Sequence, residues 1–166
     1  MLYYIQLQDF YYFKMEQKVL LYKNKKALFK YIFLERYKCG IVLLGTEIKS
    51  IRDGKINFSD SYCLFKANEL WVSDIHIAEY KYGNMLNHEP KRDRKLLLTK
   101  RELRKLQKKV SEKGLTIIPI ELIIDERGFA KLEIALAKGK RLHDKRDSIK
   151  EREYKVEVNR INKNSF

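Results

Sequence analysis

Glu47-Ile48-Lys49 has the Glu-x-Lys spacing of some metal-dependent nucleases, in which carboxylates hold Mg²⁺ and the lysine stabilises the attacking water or the transition-state charge. Such a site needs a second acid beside the first, commonly on a preceding strand, and a candidate such as Glu35 stands in no supporting motif. His76, His88 and His143 lack metal-ligand spacing, and the seven glycines build neither a phosphate loop nor a dinucleotide fingerprint. Cys39 and Cys63 are single residues in apolar surroundings, which reads as two small buried hydrophobes and not as a metal site or disulfide. No nucleophile, acid and base converge, so no catalytic residue, metal or cofactor is expected, and the chain reads as a binding protein and not an enzyme.

The charge says what kind of partner it binds. The 166 residues hold 36 Lys+Arg against 22 Asp+Glu, a formal net charge of +14. With 45% hydrophobic and 12% aromatic residues the chain can bury a core, which excludes a wholly disordered basic tail protein. A folded, strongly basic domain implies a polyanion, either nucleic acid or an acidic membrane surface. The charge is concentrated: eleven cations and three acids fall within residues 91–113, a net +8. There Thr99-Lys-Arg-Glu102 forms a capping box, Leu103, Leu106 and Val110 form one apolar stripe, and Gly114 supplies the stop. Lys100, Arg101, Arg104, Lys105, Lys108 and Lys109 occupy the other face, which is either a solvated surface or an RNA-facing one. The stripe is needed for the core, which disfavours a membrane surface, and no apolar run approaches the ~20 residues of a membrane span. Residues 1–14 are greasy but have no positive start and no cleavage site, so they do not read as a signal peptide, and a cytoplasmic protein is expected.

Short strands must position these groups. Ala27 to Glu35 and Gly40 to Leu44 read as strands separated by Arg36-Tyr-Lys-Cys39. Ser61 to Lys66 and Leu70 to Ile77 flank a turn in which Asn68 can be left-handed, and Leu115 to Ile124 and Phe129 to Ala137 flank Asp125-Glu-Arg-Gly128. Thr46 to Arg52 reads as a short helix before Gly54, and Pro119 requires its strand to be at an edge or bulged. Six strands with few helices predict a mainly β fold, a small antiparallel barrel of the oligonucleotide-binding kind being one fitting architecture. Phe29, Tyr31 and Phe33 share a strand face and are expected in the core, whereas Tyr62, Tyr80 and Tyr82, flanked by polar residues, are candidates for stacking on bases.

A set of motifs in fixed order is more specific than any of these signals. Asn24-Lys-Lys-Ala27, Gly40 to Lys55, Asp60-Ser-Tyr62, Asn87-His-Glu-Pro90, Arg94-Lys-Leu-Leu-Leu98 and Gly139-Lys-Arg-Leu-His-Asp-Lys-Arg146 resemble the SmpB family of tmRNA-binding proteins, from about Leu21 to Lys163. The resemblance implies a non-enzymatic RNA-binding factor of bacterial trans-translation: an oligonucleotide-binding-like β-barrel with about three helices and a C-terminal tail disordered when free. It implies binding to the tRNA-like domain of tmRNA, delivery with elongation factor Tu to stalled ribosomes, and a tail that enters the decoding centre and empty mRNA channel of the small subunit. Peptide tagging and ribosome rescue would follow. A cytoplasmic monomer is expected, with no membrane partner. The alternative is a ribosomal or tRNA-binding accessory protein, which would not prefer tmRNA over tRNA.

By the same resemblance, tmRNA contacts fall on Asn24, Lys25, Lys26, Lys49, Ser50, His88, Arg94 and Lys95, and decoding-site contacts on Gly139, Lys140, His143, Asp144, Lys145 and Arg146. His143 could stack on an unpaired rRNA base while the cations meet phosphates. Lys150, Arg152, Tyr154 and Ile161 are the channel-facing tail residues; Tyr154, Val158 and Ile161 share a helical face, and acids three or four residues from bases support a helix that forms on binding. The expected organisation is a non-family extension at 1–14, a barrel at 15–140 and a basic tail at 141–166. Met15 followed by Glu-Gln-Lys resembles a natural start, so residues 1–14 are expected to be a misassigned upstream reading frame. Lys38 stands where the family usually has an acid, so no acidic contact role passes to it.

Overall fold

A computed structural model of the chain describes residues 20–83, 86–111, 114–141, 144, 154 and 158. The described elements are β1 (Leu20–Lys23), α1 (Lys25–Lys30), β2 (Tyr31–Ile41), α2 (Gly45–Arg52), β3 (Ile56–Asn57), β4 (Tyr62–Lys66), β5 (Glu69–Ser73), β6 (His76–Ile77), β7 (Arg94–Leu97), α3 (Lys100–Val110), β8 (Leu115–Ile124) and β9 (Ala130–Gly139). The large sheet runs β1-β8-β4-β5-β7-β2-β9, and a further β8–β9 pairing closes six of these strands into an antiparallel barrel with β1 added along β8. Closure pairs each of the six ring strands on both sides, leaving β1 as the edge of the large sheet. A separate two-stranded pair, β3 with β6, stands beside it.

Among the described residues the chain forms the expected mainly β barrel with three helices, with differences at the front. Lys25–Lys30 is helical and not the start of a strand, because the Asn24 side chain caps that turn by accepting the Ala27 N–H at 3.0 Å. Arg36 to Cys39 is not a connection: β2 runs unbroken through it for 11 residues, paired along β9. Gly40 to Leu44 contributes only its first two residues to that strand, and Leu70 to Ile77 divides at Asp74, whose φ is +59°. β7, built from Arg94-Lys-Leu-Leu97, had no place among the predicted strands.

The two hairpins and the capped helix form as the turn chemistry requires. Lys66 pairs with Glu69, leaving a two-residue turn of Ala67 (φ +47°) and Asn68 (φ +63°), the double left-handed geometry that fits strand twist. Ala67 pays the larger steric penalty there. Ala67→Asn should therefore raise stability by about 0.5 kcal/mol in urea titration; an unchanged or lower midpoint would show that the turn carries no strain. At the other hairpin Asp125 Oδ1 accepts the Arg127 and Phe129 N–H groups and Gly128 takes φ +82°. Pro119 sits at a bulge: its partner is Ile134, while Glu121 pairs with Glu133, so Ile120 is the extra residue. The displaced backbone is still satisfied, since the Asn24 backbone N–H reaches Ile120 O and its side-chain amide reaches Pro119 O.

Both faces of β9 are packed. Leu132, Ile134 and Leu136 fill the barrel with Ile51, Leu70, Val72, Leu96, Leu106 and Leu122, while Ala137 joins Ala27 and Ile118 in a second cluster under α1, flanked by Tyr31 and Phe33. Tyr31 and Phe33 thus pack as expected, but Phe29 lies on α1 and is exposed. Cys39 and Cys63 are buried in the main core, and burial pushes the Cys39 thiol up to about 12, so it serves as a hydrophobe that donates to Leu132 O. No helix among the described residues is long and apolar enough to cross a membrane.

Candidate RNA-binding surface

The residues assigned to tmRNA by resemblance divide into a buried set and an exposed set. Asn24, Ser50, His88 and Arg94 are 5%, 0%, 4% and 0% exposed, so their side chains are largely withdrawn from solvent. Each has an internal position instead. Asn24 caps α1 and pins it to the bulge of β8. His88 bridges Thr46 Oγ1 at 2.9 Å and Ile77 O at 3.1 Å, joining α2 to β6. Ser50 is packed against the core side of α2, and its Oγ has no hydrogen-bond partner among the described residues.

Arg94 belongs to a buried charge network that the sequence reading did not find. Glu47 is fully buried; it accepts the Leu44 N–H at 2.7 Å, two bonds from Arg92 at 2.8 and 2.5 Å, and one from Arg94 at 2.9 Å. Arg94 also donates to the carbonyls of Ile75, Arg92 and Pro90. Burial pushes the Glu47 carboxyl up, but Arg92, the Leu44 N–H and Arg94 outweigh it, and the net shift is downward. The Glu-x-Lys spacing therefore has a structural explanation: both Glu47 oxygens face guanidinium groups. Glu35, the other acid of that hypothesis, is held by Tyr37, Lys105 and Lys109 at the base of α3 and is lowered to about 2, first by Lys109, then by Tyr37 and Lys105.

The exposed set is cationic and partly aromatic. Lys25 and Lys26 project from the first turn of α1. Lys49 projects from α2, with its ammonium 5.2 Å from the Tyr80 ring centroid; Tyr80 meets Tyr82 edge to face at 5.6 Å, and Lys81 lies 5.7 Å from Tyr82. Asn87 fixes this corner by bonding both the N–H and the carbonyl of Tyr80. Tyr82 is 72% exposed, so an aromatic face backed by two ammonium groups is available for a base or sugar. Tyr80, by contrast, is half-buried. Tyr22 ties the α1 and α2 regions together: its hydroxyl donates to Ile51 O at 2.7 Å, two residues before the α1 cap. Lys95 is half-buried and paired with Glu69.

The concentrated charge of residues 91–113 is less free than its count implies. Arg92 and Arg94 neutralise Glu47, Lys95 pairs with Glu69, and Lys105 and Lys109 pair with Glu35. Lys100, Arg101, Arg104 and Lys108 remain as an exposed strip on α3. Lys38 also acquires a local reason. It stands opposite Glu133 in the β2–β9 ladder, and burial and the neighbouring Glu121 push the Glu133 carboxyl up while Arg36 and Lys38 pull it down. An acid at position 38 would put a third carboxylate beside that pair.

Gly139 and Lys140 mark where the barrel ends. Gly139 is the last residue of β9, opposite Tyr31, and the Lys140 N–H donates to Lys30 O, so the chain leaves the barrel beside α1. Asp144 accepts the Arg141 N–H at 3.0 Å and Tyr154 is exposed. His143, Lys145, Arg146, Lys150, Arg152 and Ile161 lie outside the described residues, as does the 1–14 segment.

A barrel with a basic, aromatic-bearing surface is common to many nucleic-acid-binding families, and the comparisons with known proteins separate them. A profile described as SmpB protein matches residues 21–164. The chain belongs to the SmpB family. An SsrA-binding protein of Christiangramia forsetii is 55% identical over 141 residues, covering 85% of this chain and 90% of its own. Similar proteins of the same name from Phocaeicola vulgatus, 55% identical over 84% of this chain and 93% of that one, and Bacteroides thetaiotaomicron, 51% identical over 89% and 98%, extend the likeness. A solved structure described as "tmRNA-SmpB: a journey to the center of the bacterial ribosome" matches with a TM-score of 0.64 at 43% identity, over 78% of this chain and 94% of that one. The SmpB likeness thus covers the barrel and reaches into the tail sequence.

Proposed function

We propose that this protein binds the tRNA-like domain of tmRNA and carries it, with elongation factor Tu, to stalled ribosomes, where its tail occupies the decoding centre and the empty mRNA channel and permits peptide tagging. The observation that carries the reading is family membership over residues 21–164 joined to an exposed cationic and aromatic surface on that barrel. A folded RNA elbow is recognised by shape, phosphates and exposed loop bases, which suits Lys25, Lys26 and Lys49 on a folded barrel, with Tyr80 and then Tyr82 beside Lys49. Asn24, Ser50, His88 and Arg94 act as positioning residues for those cations. The protein acts as a cytoplasmic monomer and contributes no catalytic group; Gly139, Lys140, His143, Asp144, Lys145 and Arg146 form its decoding-site segment, with Lys150, Arg152, Tyr154 and Ile161 in the channel.

Competition binding tests this reading. The protein should prefer tmRNA over elongator tRNA, and with about six phosphate contacts its affinity should fall on the order of 10³-fold between about 50 and 200 mM salt. Replacing Lys25, Lys26 and Lys49 together with alanine should lower the salt slope by roughly three contacts. Equal affinity for tmRNA and tRNA would favour an accessory tRNA-binding protein instead.

A further inference from the structure

A cleft of about 310 Å³ opens between α1, the 59–62 turn and the start of β8. Its floor is apolar, formed by Ala27 and Ile118 of the cluster beneath α1, and the half-buried Tyr31 packs against that cluster. Tyr62, 41% exposed, stands on the opposite strand. Lys26 and Lys30 border the cleft from α1, and Asp60 borders it from the turn. The volume is at the low end for small-ligand sites, which suits one flat heterocycle better than a whole cofactor.

Two features distinguish this cleft from an ordinary surface dent. The first is that the charged and aromatic side chains at its rim, Asp60, Lys26, Lys30, Tyr31 and Tyr62, have no side-chain hydrogen-bond or ion-pair partner among the described residues, while Asn24, Ser59 and Ser61, which also line it, are held by bonds within the protein. The second is that the turn bearing Asp60 is fixed from both sides. Asn57 Oδ1 accepts the Ser59 N–H and hydroxyl, and both the N–H and the hydroxyl of Ser61 donate to Phe58 O. A carboxylate on a rigid turn, beside aromatic rings and cations, is a preorganised binding arrangement.

We propose that this cleft takes one unpaired guanine base of an RNA loop, an inference that rests on the RNA-binding reading above. The ring lies on the apolar floor against the tyrosines, where stacking is independent of sequence. Selectivity comes from Asp60, which is an acceptor only. The Watson–Crick edge of guanine presents two adjacent donors, N1–H and the 2-amino group, to the two carboxylate oxygens. Adenine places an acceptor, N1, at the same point, and uracil offers one N–H between two carbonyls. Lys26 and Lys30 meet the phosphates flanking the extruded nucleotide.

NMR titration of the full-length labelled protein with 5′-GMP, 5′-AMP, 5′-CMP and 5′-UMP tests the site without tmRNA. GMP should give saturable shifts centred on Ala27, Tyr31, Tyr62 and Ile118, with a Kd roughly tenfold below that of AMP. Asp60→Asn should abolish the preference, and Tyr62→Leu should weaken every nucleotide; both positions are exposed, so the melting temperature should not move. No saturable shift at these residues, or four equal affinities unaltered by Asp60→Asn, overturns the pocket. The same variants, tested for tmRNA affinity, separate the two claims: a wild-type preference for tmRNA that both variants retain in full removes the pocket and leaves the RNA reading, while a wild type indifferent to tmRNA removes that reading and the GMP result still decides the pocket.

Discussion

A chain ending at Arg141 should hold tmRNA with affinity within about threefold of the full protein and support no peptide tagging on stalled ribosomes. The structure sets the cut. Ending at Lys138 would remove the Gly139–Tyr31 pair and the Lys140 N–H bond to Lys30 O, fraying β9 beside α1 and confusing a tail effect with a barrel effect. Ending at Arg141 keeps the barrel and both of those contacts. The removed segment carries seven cations and five acids, a net +2, so its share of long-range attraction to RNA is small beside the +14 of the chain, and a loss of a few phosphate contacts at most is expected. Its proposed work is geometric: an acid-base-laced segment becomes a helix only where a channel holds it, and mRNA competes for the same space. Gel-shift titration and a tagging assay on the same preparation decide it. Loss of tmRNA affinity in step with tagging would contradict a division of labour between barrel and tail.

Local rules explain what could be read from the sequence, and long-range pairing explains what could not. The Thr99–Glu102 capping box, the two hairpins and the Pro119 bulge were legible because the signal and its structural answer lie within a few residues. The α1 turn was obscured because Ala27 to Glu35 reads as a β run, while the decisive residue was the cap, Asn24, whose amide is fixed 95 positions away on Pro119 O. β7 was missed because Arg94 interrupts its apolar pattern, and a fully buried arginine is intelligible only with its acid, 47 residues upstream. The site residues show the same limit. Motif order grouped eight residues, yet four of them have buried side chains, since a motif mixes fold-holding and surface residues without distinguishing them. The Asn24–Pro119 and His88–Thr46 contacts could have been anticipated only by pairing segments that no periodicity connects.

Glu47→Gln should be the most damaging single substitution in the barrel, costing about 3–5 kcal/mol in equilibrium unfolding, because it leaves the fully buried Arg94 and the adjacent Arg92 without their anion. Against the roughly 5–15 kcal/mol of a typical domain that is a large fraction of the whole. A general fold weakness and a specific charge defect are separated by a second substitution: Arg94→Met added to Glu47→Gln removes one orphaned cation and should recover part of the loss, whereas independent sites would simply add. The pH profile supplies a further test. The folded-state pKa of Glu47 lies below its usual value, so its contribution is present above the unfolded pKa of about 4.3 and is lost as pH falls through the folded value. Wild-type stability should therefore decline more steeply below about pH 4 than that of Glu47→Gln, and the two curves should converge in acid. Parallel curves from pH 7 to pH 3 would mean that the ionised network contributes nothing. The same measurement bears on RNA binding, because Arg94 bonds the carbonyls of Ile75 and Pro90 and Glu47 holds the first turn of the helix that presents Lys49. Weaker tmRNA binding by a still-folded Glu47→Gln protein at low temperature would place these buried groups as supports of the RNA surface and not as contacts to it.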